Sequence, residues 1–175
     1  VFYQNWGHYN DPETNERKAE LPIAFWFIQS YNENLIEIGE VTDFYVEAKH
    51  TVYDLTTERP TTIKMDAADV DYKDKNVLSI STVEHIGNGD YGFPKEPHKA
   101  IEILKKMVND SKNHLISFPV GANRELEEDI IKEGINYFLI ERSPVNTWHQ
   151  VISKDFKQYR YNYPQYAGNA IAVVT

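Results

Sequence analysis

From Leu35 onward, short apolar runs alternate with turn-forming residues, and two of the intervals between runs carry an apolar stripe of helical period. LIEIGEV (35–41) reads as a strand entering a tight turn at Gly39. HTVYDL (50–55), TTIKMDA (61–67), NVLSISTVEHIG (76–87) and HLISFPV (114–120) read as the second to fifth strands, the second ending at Asp54 and the third at Asp66. PHKAIEILKKMVND, from Pro97, sets Ala100, Ile101, Leu104, Met107 and Val108 on one face with lysines outward, which predicts an amphipathic helix. ANRELEEDIIKEG predicts another, with Asn123 as cap, acidic residues early and Gly134 as stop. An earlier helix is expected in ELPIAFWFIQSYN, with Pro22 in its first turn, where a missing N–H costs nothing. INYFLIERS, WHQVISKDF and GNAIAVVT close the chain as three strands.

A helix joins the fourth and fifth strands and another follows the fifth, and both strands are apolar at most positions. That pattern predicts an α/β fold: a doubly wound, mostly parallel, seven-stranded sheet covered on both faces, with an antiparallel hairpin at its C-terminal edge. The early connections are the irregular part. Residues 42–49 hold about two helical turns and 55–60 hold almost nothing, whereas a parallel crossover commonly takes a dozen residues or more. Residues 1–20 mix Phe2, Tyr3 and Trp6 with Asn, Gly and charges without a period, and read as an arm or lid on a single domain spanning 1–175.

Composition narrows the function. A length of 175 residues suits one domain, and 41% hydrophobic with 26% charged residues suits a soluble one. A formal charge of −9 argues against a nucleic-acid backbone as partner. Cysteine is absent, which removes thiol catalysis, disulfides and zinc–thiolate sites. No apolar run has membrane-spanning length and no signal peptide is visible, so a cytoplasmic protein is expected. Twelve tyrosines and three tryptophans are a high aromatic load, some for the core and others available to an acceptor pocket or a homo-oligomer contact.

Open α/β sheets bind ligands beyond the carboxyl ends of their strands. Three candidates gather there: Gly39, which lets backbone approach a ligand; Asp54, placed to accept from ribose hydroxyls; and Asp66, placed to accept from an adenine amine or a neighbouring amide. Each aspartate is equally at home as a solvated turn residue. Glu37, inside the first strand, either braces the loop after Gly39 or meets a cationic group of the ligand, since a buried charge needs a partner. An imidazole can take up a proton near neutrality, which makes His85 a candidate general base, unless it is simply packed against backbone. Glu84 is a candidate to orient it, although neighbours on a strand face opposite sides, so a direct pair is not expected. Gly87, Gly89 and Gly92 make the following loop sharply turned.

These segments resemble the class I S-adenosylmethionine-dependent methyltransferases, most closely a branch with uncharacterised members and others associated with sugar or polysaccharide modification. LIEIG resembles the first motif, VYDL the acidic second-strand motif, IKMDAADV the adenine-holding third, VLSISTVEHIG the fourth-strand segment and SKNHLISFPVG the fifth-strand motif. The resemblance spans Leu35 to about Gly121. It implies S-adenosyl-L-methionine as cofactor, with Glu37 and Gly39 bordering the methionine moiety. It further implies Asp54 on the ribose, Asp66 and Ala67 on the adenine, Ser81 and Thr82 beneath the cofactor, and Glu84 or His85 facing the acceptor. Val41 and Asp43 stand where the family commonly has glycines.

The expected activity is methyl transfer to a hydroxyl of a small or sugar-like acceptor, with His85 as base and no metal, because no spacing of His, Asp and Glu resembles a metal site. Trp148, His149 and YRYNYPQY (159–166) offer surface suited to a sugar. Two rivals stand beside this. One is an NAD-dependent sugar-nucleotide oxidoreductase, against which the missing G-x-G-x-x-G counts. The other is a non-catalytic relative acting as an interaction or structural protein.

Overall fold

The computed structural model describes residues 15–152, 155–162 and 167–175. The helices are α1 (Arg17–Ser30), α2 (Lys99–Asp110) and α3 (Arg124–Glu133). The strands are β1 (Leu35–Ile38), β2 (Thr51–Asp54), β3 (Ile63–Lys64), β4 (Asn76–Ile80), β5 (Asn113–Pro119), β6 (Phe138–Arg142), β7 (Trp148–Val151), β8 (Tyr161–Asn162), β9 (Ala167–Gly168) and β10 (Ala170–Val174).

Eight strands form one sheet in the order β3-β2-β1-β4-β5-β10-β6-β7, and β8 pairs with β9 separately. β1 to β5 are mutually parallel, while β10 enters antiparallel between β5 and β6. The α/β, mostly parallel architecture matches the expectation. The sheet has eight strands rather than seven, since all eight runs read as strands join it, with Trp148–Val151 forming the expected antiparallel hairpin on the outer edge of β6.

Alternation within the central strands sorts the core onto two faces. Leu35, Leu78, Ile80, Leu115, Ile171 and Val173 pack beneath α1 with Ala24 and Phe27. Ile36, Ile38, Val77, Ile116 and Phe118 pack beneath α2 and α3 with Leu104, Met107, Leu126 and Ile130. The early crossovers carry only short 3-10 turns, Thr42–Phe44 and Ala67–Asp69, so no long helix follows β1, β2 or β3.

Four expectations are corrected at the ends of elements. α1 begins at Arg17 and takes Pro22 into its interior, since the carbonyl that proline leaves unpaired belongs to exposed Lys18. Residues 15–20, read as part of an arm, are instead the buried start of this helix apart from Lys18; the rest of the arm, 1–14, lies outside the described residues. The third strand is only Ile63–Lys64, because Asp66 caps the next turn by accepting from Ala68 N at 2.9 Å. The fourth strand stops at Ile80, where Ser81 adopts φ +41°, and Val83–His85 form a 3-10 turn. Glu84 and His85 are therefore not strand neighbours on opposite faces.

Asn123 does the capping expected of it, accepting from Leu126 N at 3.1 Å, and its Nδ2 also donates to Glu84 O at 2.9 Å. Asn123→Ala removes both bonds and is expected to cost about 1–2 kcal/mol in urea unfolding.

Candidate functional site at the carboxyl edge

The chain runs outward from β1 through β2 to β3, then returns to β4 on the other side of β1. The carboxyl ends of β1 and β4 thus flank the point where the winding reverses, the place where open α/β sheets bind ligands. Gly39 N donates to Tyr53 O at 2.8 Å, Glu40 N to Asp54 Oδ2 at 2.9 Å, and Met65 N to Asp54 O at 3.3 Å. Gly39, Asp54 and Asp66 are thereby brought side by side on one edge.

Glu37 resolves between its two readings: it braces the loop. Fully buried, it accepts from Val41 N at 3.1 Å, Thr42 N at 2.8 Å and the Thr42 hydroxyl, and it pairs with His50 Nε2 at 2.8 Å. The amides of Gly39, Glu40, Val41 and Thr42 are consequently all engaged within the chain. A single 3-10 turn follows them, not a helix N-terminus.

Gly39 has φ +84°, and a Cβ built there would meet Thr82 Oγ1 at 1.9 Å. Thr82 thus lies directly over the end of β1. Asp54, half-buried, accepts from Glu40 N, from Thr56 N at 2.6 Å and from Thr56 Oγ1 at 2.7 Å. Beside it, Arg59 reaches across to Glu40 at 3.0 Å and to Asp43, stacking over the Phe44 ring at 4.7 Å. Asp43, one of the residues standing where glycines are common, is thus held by a cation. Partial burial would raise the Asp66 pKa, but the Ala68 amide and Lys99, at 3.1 Å, outweigh it and hold the carboxyl below its usual range. Ala67 is buried, and its carbonyl accepts from Tyr72 OH at 2.7 Å.

Beyond the end of β4, the His85 side chain is 31% exposed. Its Nδ1 is bound to Asp90 Oδ2 at 2.7 Å, and Asn88 Nδ2 donates to the same oxygen at 3.2 Å. Tyr91 packs edge-on against the ring at 5.1 Å. An anionic partner at Nδ1 selects the tautomer with the proton there, leaving Nε2 as acceptor. Nε2 lies 3.7 Å from Glu84 Oε1, near but beyond hydrogen-bond length. The pairing that strand geometry argued against is thus approached, because a 3-10 turn replaces the strand.

Behind His85 lies a buried polar cluster. Ser81 Oγ donates to Glu20 at 2.9 Å, Ser117 Oγ donates to Glu20 at 2.8 Å, and Arg17 pairs with Glu20. Glu16 accepts from Gly168 N at 3.0 Å. Burial first, then the Glu20 charge, pushes the Glu16 pKa up.

Sequence reasoning did not find Asp90, Arg59, Glu16, Arg17 or Glu20. Asp90 carried a weak signal, being the one acid in the glycine loop five residues after His85. The others meet the crevice through tertiary packing alone.

The aromatic candidates are dispersed. Trp148 and His149 sit on β7, at the outer edge of the sheet four strands from β4. Tyr159 is buried in the core with its hydroxyl donating to Glu141 at 3.2 Å, and residues 163–166 lie outside the described residues. A cavity of about 520 Å³, lined by residues including Trp26, Tyr31, His114 and Phe138, opens at the opposite edge where β5 begins.

No family model matches the chain, and no curated protein matches it. Among solved structures, it is similar to the magnesium protoporphyrin IX methyltransferase of Synechocystis PCC 6803, determined with bound SAM. The identity is 12% and the TM-score 0.44, over 91% of this chain and 79% of that one. The architecture rests on the strand order and not on this likeness. No helix among the described residues is long and apolar enough to cross a membrane.

Proposed function

We propose that this chain binds S-adenosylmethionine in the carboxyl-edge crevice and transfers its methyl group to a hydroxyl of a small, sugar-like acceptor. The observation that carries the reading is the loop after β1. With its four amides spent and no helix N-terminus behind them, it offers nothing to a pyrophosphate, while Glu40 and Asp43 share the single guanidinium of Arg59 and leave the loop net negative. That disfavours a dinucleotide and leaves a nucleoside ligand without phosphates as the better fit. Asp54 is half-buried at the crevice, and three of its roughly four lone-pair sites are used, so one remains for a ribose hydroxyl. Gly39 and Glu37 shape the wall for the methionine moiety, Asp66 and Ala67 border the adenine, and Ser81 and Thr82 close the floor.

When bound, S-adenosylmethionine supplies a methyl group whose bonding pair returns to sulfur as the acceptor oxygen takes the carbon. The chain must align that oxygen and remove its proton. His85 Nε2 receives the proton, and Asp90, holding Nδ1, is the positioning residue that fixes the tautomer and steadies the imidazolium. Glu84 borders the same space.

The test is turnover of labelled S-adenosylmethionine against a panel of hydroxylated acceptors. His85→Ala is expected to lower kcat about 10²- to 10⁴-fold while binding S-adenosylhomocysteine normally. Asp90→Asn is expected to lower kcat with KM and melting temperature unchanged. A His85→Ala variant with full turnover sinks the base assignment.

A further inference from the structure

Glu84 is 1% exposed, and its Oε2 has no hydrogen-bond partner among the described residues. Its Oε1 lies 3.7 Å from His85 Nε2. The backbone beneath it is fixed, since Asn123 Nδ2 holds Glu84 O and neighbouring Val83 is fully buried. A buried carboxylate oxygen without a partner opposes folding, and such an atom is retained where something else completes it.

Ser81, Ser117 and Arg17 satisfy Glu20, and Gly168 N binds Glu16. The charged and titratable groups facing Glu84 are Glu16, Arg17 and Glu20 from the start of α1, and His85 from its own turn. Two other carboxyls thus stand against one guanidinium, which is already engaged by Glu20. An ammonium at Glu84 Oε2 would meet the carboxyls of Glu84, Glu16 and Glu20 together, which favours a cation there over a neutral hydroxyl.

We infer that Glu84 Oε2 is the binding site for a protonated amine, carried by the acceptor beside the hydroxyl that reaches His85 Nε2. The inference rests on the proposed acceptor site and adds its chemical class: a small amino alcohol, amino sugars among them. The two anchoring atoms are on adjacent residues, so the amine and the hydroxyl are close neighbours in the acceptor.

A proton accompanies this binding. Burial above all, with Glu20 and Glu16 adding to it, pushes the Glu84 carboxyl well above the usual carboxylate range, which favours its protonated form when the site is empty. The arriving ammonium favours the ionised form, so the proton leaves. Binding then strengthens as pH rises, toward the pKa of the empty site.

The experiment is calorimetry of the whole chain with ethanolamine and with ethylene glycol, which differ by an ammonium for a hydroxyl, in two buffers of different ionisation heat. Expected are saturable ethanolamine binding in the range of about 1–10 mM, at least about tenfold tighter than the glycol, with net proton release. Glu84→Gln is expected to weaken ethanolamine at least about tenfold and leave the glycol unchanged. Equal affinities, no ethanolamine saturation below about 50 mM, or a Glu84→Gln protein that binds like the parent overturns the inference. Should Glu84→Gln fail to fold, the proton release and the glycol comparison on the unaltered chain decide it. S-adenosylhomocysteine is titrated in parallel. Loss of its binding with ethanolamine discrimination intact defeats the methyl-donor reading alone, and the reverse outcome defeats the amine site alone.

Discussion

Gly39→Ala is expected to destabilise the chain by about 3 kcal/mol or more, combining a positive φ that alanine resists with overpacking against a fixed neighbour. The added Cβ would lie 1.9 Å from Thr82 Oγ1, 2.6 Å from its Cγ2 and 2.7 Å from its Cβ. Thr82 has little freedom to withdraw. Its hydroxyl is bonded to Ile80 O at 2.9 Å, and the preceding amide, Ser81 N, is held by Ser117 O at 2.8 Å. Either β1 and β4 part at their carboxyl ends or the glycine position refolds, and both outcomes deform the crevice. Thr82→Ala removes Oγ1 and Cγ2 but leaves its Cβ at 2.7 Å, so it rescues only in part. Thr82→Gly added to Gly39→Ala removes the clash and restores about 1–3 kcal/mol, leaving the φ penalty. Urea unfolding of the two single variants and the double variant measures this. A Gly39→Ala protein as stable as the parent would show that β1 and β4 do not meet as described.

Glu37→Leu is expected to cost about 3–5 kcal/mol, the range for stripping a buried charged hydrogen-bond centre of its acceptor. Leucine restores the volume but accepts nothing, so the amides of Val41 and Thr42, both buried, and the His50 ring lose their common partner. Glu37→Gln keeps one acceptor oxygen and is expected to lose less. Both variants should weaken S-adenosylhomocysteine more than they alter far-UV circular dichroism, because the damage is confined to the loop after β1. A Glu37→Leu protein with unchanged melting temperature would mean that the loop holds its shape without the carboxylate.

The fold was legible where burial sets the pattern. Strands β4 and β5 are apolar because helices cover both faces, and the stripe on α2 marks the side it turns inward. Gly39, Asp54 and Asp66 were legible as an edge because each follows an apolar run, and position along a strand fixes which end it occupies. The end of β4 was not. VLSISTVEHIG continues in strand-like composition past Ile80, and nothing local announces that Ser81 takes φ +41°. That turn is set by partners far away in sequence: Glu20 for its hydroxyl, Asn123 for the carbonyl of Glu84. The same reason hides Arg17 and Glu20, which read as an ordinary charged helix start until β4 and β5 bury them. It hides Arg59 as well, since its role depends on residues brought together across the first two strands.

The central claim is that the edge formed by Gly39, Asp54 and Asp66 holds the adenosyl part of a methyl donor. Calorimetric titration of the chain with S-adenosylhomocysteine, with NAD as control and Asp54→Ala as variant, tests it most directly. The account predicts saturable micromolar binding of S-adenosylhomocysteine, no binding of NAD, and an affinity loss in Asp54→Ala of about 10- to 100-fold, the worth of one or two charge-assisted hydrogen bonds. NAD binding tighter than S-adenosylhomocysteine, or equal S-adenosylhomocysteine affinity in the folded Asp54→Ala protein, would contradict it.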